Sequence, residues 1–221
     1  MKNENSLLLR ETFFLDFESE DFLDFCASIP LKSTPKEQAI AIYEHVRDAF
    51  LYDPYHLDLR KNALKASSIV LKKRAWCVEK AIVTCSAFRK FGFPARLGFG
   101  IVKNHIGVEK LVSYLQREEI VFHGFVEVFV EGKWSKCTPA FDPRICKISG
   151  VEVLNWDTEN DSLFQAFKGE EKFMEYLHFY GVFDDVPVKL MHSEMRKFYP
   201  HLFSDPIDTK PFSFHFESEF L

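Results

Sequence analysis

The chain has 221 residues, 47% of them apolar and 28% charged, enough to bury one sizeable core and to exclude disorder, collagen and coiled coil. Its 28 Lys and Arg against 33 Asp and Glu leave a formal charge of −5. Without a polybasic block to neutralise phosphates or anionic lipid, neither nucleic acid nor a membrane surface is expected as a partner.

Along the chain, Leu7 to Leu9 is an apolar run too short for a signal-peptide core, and no later window approaches a membrane span. Five cysteines (Cys26, Cys77, Cys85, Cys137 and Cys146) form an odd set without framework spacing, which predicts free thiols and a cytoplasmic location. No repeat or Gly/Ser/Pro-rich linker divides residues 1–221, so one domain is expected, with its core over about 36–145 and a helical extension over 146–221.

Thr34-Pro35-Lys36-Glu37 is a capping box with proline at the first helical position. It opens a helix whose apolar positions are Ala39, Ile42, Tyr43, Val46, Ala49 and Phe50 and which should end near Tyr52-Asp53-Pro54. A second helix is expected over about 63–71. From Val78 to Phe91 the stripe Ala81, Ile82, Cys85, Phe88 and Phe91 predicts a third, closed by Gly92 and Pro94, which sets Cys77 at its N-terminus.

Ala95 to Val102 reads as a strand, and Val121 to Val130 as an alternating strand that Glu131-Gly132 turns back through Lys133 to Thr138. Helices followed by antiparallel strands indicate an α+β fold. Further on, Glu170 to Phe179 and Val188 to Phe198 read as helices, and Phe212, Phe214 and Phe216 alternate as in an edge strand.

A nucleophilic thiol needs its thiolate populated, which a helix N-terminus favours, and Cys77 is the one cysteine so placed. His123 follows 46 residues later at the start of the alternating strand, on one face with Phe125, Glu127 and Phe129. Together they make a candidate nucleophile and base. A third group should orient the imidazole. Extending the hairpin register sets His123 opposite Ala140, with Thr138 and Asp142 as its diagonal neighbours; Asp142 supplies a charged acceptor and Thr138 a hydroxyl.

Three blocks then carry a resemblance: Arg74-Ala75-Trp76-Cys77-Val78-Glu79-Lys80-Ala81, Gly92-Phe93-Pro94-Ala95-Arg96-Leu97-Gly98, and His123 to Val128 with Trp134. In order and spacing they resemble the transglutaminase-like superfamily, and Val46-Arg47-Asp48 with Tyr52-Asp53-Pro54-Tyr55 resembles its bacterial branch. The resemblance implies a papain-like α+β core and a Cys-His-Asp triad acting on amides or thioesters through an acyl-enzyme, with Cys77 as nucleophile and His123 as base. The departure is at the third member: where the family pattern has an aspartate before a proline, this chain has Thr138 before Pro139.

The reading that follows is a cysteine hydrolase or acyltransferase completed by Asp142 or Thr138, its substrate a peptide or protein amide or a small amide, with water or an amine as acceptor. Trp76, Tyr52 and Tyr55 are candidates for the substrate wall or for an oxyanion contact. The alternative is a catalytically silent relative that binds a protein partner. No metal or other cofactor is expected, because Cys77, His123, Cys137 and Cys146 lack metal-ligand spacing.

Overall fold

The computed structural model describes residues 6–104, 109–163, 174–203, 206 and 209–213. Helix α1 (Glu20–Ala27) buries Phe22 and Cys26. Helix α2 (Pro35–Ala49) opens on the expected capping box, in which Thr34 Oγ1 accepts from Glu37 N at 3.3 Å and Glu37 Oε2 accepts from Thr34 N at 3.2 Å. Its face Ala39, Ile42, Tyr43 and Val46 is buried, whereas Ala49, at the last turn, is exposed.

The short strands β1 (Leu51–Tyr52) and β2 (His56–Leu57) come next. The helix expected over 63–71 is instead a 3₁₀ turn at Lys61–Leu64 and a single α turn, α3 (Ala66–Ile69), with an extended Lys65 between them. Tertiary bonds outweigh helix propensity here: Ala66 N donates to Phe14 O at 2.8 Å, and Asp16 accepts from Ser67 N and Ser67 Oγ. Strand β3 (Arg74–Ala75) pairs with β1 in parallel and leads into α4 (Cys77–Lys90).

Every residue of α4 from Cys77 to Arg89 is buried. The stripe read from sequence understates this helix, which is enclosed on all sides by α2, α3 and a sheet. Its charged residues are therefore paired: Arg89 donates to three backbone carbonyls, Lys80 to two, and Glu79 meets Lys72.

The sheet is built from β4 (Ala95–Asn104), β5 (Glu119–Val130), β6 (Lys133–Cys137) and β7 (Met174–Phe183), in the antiparallel order β6-β5-β4-β7. Helix α5 (Glu109–Leu115) precedes β5, α6 (Pro143–Ser149) follows β6, and α7 (Val188–Phe198) and β8 (Phe212–Ser213) come last. The hairpin register is the expected one, from Val130↔Lys133 to Val126↔Cys137. Beyond that point the ladder stops, because Pro139 has no N–H to donate and Thr138 N turns aside to Ser162 O at 3.0 Å.

Two expectations for residues 146–221 are corrected. Residues 174–179, read as the end of a helix, belong to β7, where Tyr176, Leu177, Phe179 and Tyr180 suit a strand and the pairing with β4 decides the outcome. The extension is thus not simply helical; it supplies the fourth strand of the central sheet. Helix α7 matches its expected span, and Phe212 pairs in β8 against β2, whereas Phe214 and Phe216 lie outside the described residues.

Gly98 and Phe125 face each other across β4 and β5, and a Cβ on Gly98 would lie 2.1 Å from the Phe125 ring. That ring is buried and edge-on to Tyr176 and Phe179, so it can move aside only by displacing them. Gly98→Ala is therefore expected to destabilise the fold by about 1–3 kcal/mol, read as a lowered urea midpoint at unchanged slope.

Candidate active site

Helix α4 starts at Cys77 because Trp76 is extended and Glu79, three residues on, accepts from Trp76 N at 3.3 Å. Burial pushes the Glu79 carboxyl up to about 6 against the opposing pull of the Lys72 ammonium. Cys77 itself is 3% exposed. Burial pushes its thiol up to about 11, although the backbone N–H groups of Gly124, Val78 and Cys77 approach the sulfur and favour the thiolate.

The approach of Gly124 depends on its missing side chain. A Cβ there would lie 3.1 Å from Cys77 O and from Val78 Cα, so β5 crosses the start of α4 at a distance that only glycine tolerates without displacing backbone. His123 immediately precedes it, opposite Gly100, at a bulge where Phe122 has φ +63°. Backbone strain of this kind gathers where a side chain has to be aimed.

The imidazole is 1% exposed, and burial alone pushes it down to about 4. Tyr176 of β7 lies over Gly100, where a Cβ would meet its ring at 2.8 Å, and edge-on to His123 with centroids 5.9 Å apart. Nε2 of His123, Oγ1 of Thr138 and Oη of Tyr176 are all buried without a hydrogen-bond partner. Among the described residues no hydrogen bond joins His123 to Cys77, so at neutral pH the resting site holds an uncharged thiol and an uncharged imidazole.

The expectation that Asp142 orients His123 is corrected. Its carboxylate is the N-cap of α6: Oδ1 accepts from Arg144 N at 2.9 Å and from Ile145 N at 3.3 Å, while Oδ2 accepts from Tyr52 N at 2.7 Å. Asp142 thereby ties β1 to α6, and its lone pairs serve backbone donors. Thr138, just past β6, has its carbonyl bonded by Tyr43 Oη at 3.2 Å, and its hydroxyl lies near the Tyr176 phenol without closing a bond.

Of the three candidate wall residues, two reach Cys77. Burial, and after it the nearby sulfur, push the Tyr52 phenol well above its usual value, and the indole N–H of Trp76 is buried without a partner. Both line an apolar pocket that includes Cys77 and is walled by α5, β5 and α7. Tyr55 does not line it; its backbone N–H donates to Asp53. Tyr199 of the wall is fixed by two bonds, donating to Glu119 O at 2.7 Å and accepting from Val121 N at 2.8 Å.

Tyr176 and Tyr199 were not foreseen, since both arrive through pairings more than fifty residues distant from Cys77 and carry no local motif. Among the described residues no three His, Cys, Asp or Glu side chains converge as a metal site, and no helix is long and apolar enough to cross a membrane.

A mixed helix and sheet core with a cysteine opening the central helix and a histidine on the adjoining strand defines the class. The transglutaminase-like superfamily model matches residues 25–139, and the chain belongs to that superfamily. The matched region includes Cys77, His123 and Thr138 and ends short of Asp142. No curated protein matches the chain.

The raised thiol has a direct readout. Iodoacetamide should label Cys77 in the native chain at pH 7 at least ~10-fold more slowly than in urea, with the rate climbing toward pH 11. Peptide mass spectrometry separates it from Cys85, which burial also pushes up to about 11. Fast labelling at neutral pH would instead show a standing thiolate.

Proposed function

We propose that the protein is a cysteine hydrolase or acyltransferase with a papain-like arrangement of its site. Cys77 attacks an amide or thioester carbonyl, and His123 carries the proton. The observation that supports this reading best is the set of backbone N–H groups from Gly124, Val78 and Cys77 near one sulfur in the wall of a pocket. Such donors stabilise a thiolate, and those of Cys77 and Gly124 are candidates for the oxyanion of a tetrahedral intermediate.

With both partners uncharged at rest, the thiol proton passes to the imidazole as the S–C bond forms. The imidazolium, unfavourable in a buried setting, then yields its proton readily to the leaving amine or thiol. Thr138 and Tyr176 offer hydroxyls in place of a triad carboxylate. A site without that carboxylate is slow but not inert. Water as acceptor makes a peptidase or amidase, and an amine makes a transferase.

One observation favours a second reading, a silent relative that binds a protein partner: among the described residues no carboxylate is hydrogen-bonded to His123. Intact-mass analysis of the chain incubated with an acyl thioester and with a glutamine peptide separates the two. The enzyme reading expects an acyl adduct that is absent from Cys77→Ala and forms roughly 100-fold more slowly in His123→Ala. Adding hydroxylamine then reports whether an amine competes with water. No adduct from either substrate would favour the silent reading.

A further inference from the structure

The pocket at Cys77 is divided in character. The Tyr52 phenol and the backbone N–H groups lie by the sulfur, whereas the remaining wall, including Leu111 and Leu115 of α5 and Met195 of α7, is hydrocarbon. The polar groups that border this far wall are already engaged: Tyr199 Oη both donates and accepts, and Tyr52 N bonds Asp142. The unpaired indole N–H of the lining belongs to Trp76, the residue beside Cys77; a carboxamide or carboxylate pushed against Leu111, Leu115 and Met195 would lose its water and gain no partner from them.

The group that stays bonded to sulfur through both half-reactions is the acyl group; the amine or thiol departs after the first. We propose that this pocket is the acyl-chain site and that the substrates are amides or thioesters of aliphatic acids, not of glutamine-like side chains. The inference rests on the acyl-transfer reading above. In the step concerned, Cys77 Sγ bonds to the carbonyl carbon, the carbon–nitrogen or carbon–sulfur bond breaks, and the thiol proton leaves on the departing group. Water then cleaves the new thioester, releases the fatty acid and restores the thiol.

The test uses the full chain and the acetyl, hexanoyl and glutaryl thioesters of N-acetylcysteamine, with Cys77 acylation followed by intact mass. Hexanoyl is expected to react at least ~10-fold faster than acetyl and faster still than glutaryl. Leu115→Trp should collapse the hexanoyl-to-acetyl ratio. Leu202→Trp, at a half-buried wall position, is the second variant should the first unfold.

Equal rates for all three thioesters, or a preference for glutaryl, would overturn the proposal and leave acyl transfer standing. If no thioester acylates Cys77, calorimetry with hexanamide and acetamide decides. Binding of hexanamide alone, lost in Leu115→Trp, keeps the acyl-chain site while acyl transfer fails. Absence of hexanamide binding would overturn it.

Discussion

Replacing Lys80 with alanine should cost about 3–5 kcal/mol of folding stability, a large effect for a residue outside the reacting groups. Lys80 is completely buried in the second turn of α4, and its Nζ donates to Arg47 O at 2.7 Å and to Phe50 O at 3.2 Å. These carbonyls belong to the C-terminal end of α2, where a helix leaves acceptors without intrahelical donors. Truncation strands both and opens a cavity between α2 and α4. Lys80→Met keeps most of the stem volume, so it should recover the cavity part of the loss in urea unfolding while leaving the carbonyls bare.

The same lysine has a pH signature. Burial pushes its ammonium down to about 7, with the charges of Asp142 and Asp48 pulling the other way. Because the folded value lies below that of the unfolded chain, the cost of holding the buried charge is complete below pH 7. It is relieved as pH rises from 7 toward about 10.4. The advantage of the wild type over Lys80→Met should therefore widen across that window. A gap that stays constant would mean that the ammonium is not desolvated.

The second large effect belongs to His123. Its folded imidazole is pushed down to about 4 by burial alone, against about 6.5 in an unfolded chain. Between these values the unfolded state binds a proton that the folded state refuses. Stability falls as pH drops through this window, by about 3 kcal/mol in all. Glu79 acts in the opposite sense, since burial raises it to about 6 and the folded state is then the better proton acceptor. The informative quantity is consequently the difference between wild type and His123→Gln, whose stability curve should be flatter by about 3 kcal/mol from pH 6.5 to 4.

Local chemistry was legible in the sequence wherever one short segment determined it. Thr34 and Glu37 fixed the start of α2, the stripe from Ala81 to Phe91 with Gly92 the extent of α4, and Glu131-Gly132 the register of the hairpin. Asp142 was misread because that register was carried past Pro139, where the ladder has no donor; an aspartate before Pro143 is equally a helix cap, and a cap is what it is. Strand β7 escaped because its aromatic residues fit a helical as well as an extended pattern over a short run. Only the exposed edge of β4, a distant partner, decides between them.

The order in which the chain is synthesised gives β7 a separate importance. Cys77, His123 and Thr138 all lie within residues 25–139, whereas Tyr176, which covers the imidazole, comes later in the chain. A nascent chain on the ribosome carries the thiol, the imidazole and the hydroxyl well before the ring that encloses them. The reacting groups and the ring that lies edge-on to the imidazole thus come from separate stretches of chain, joined only when β7 pairs with β4.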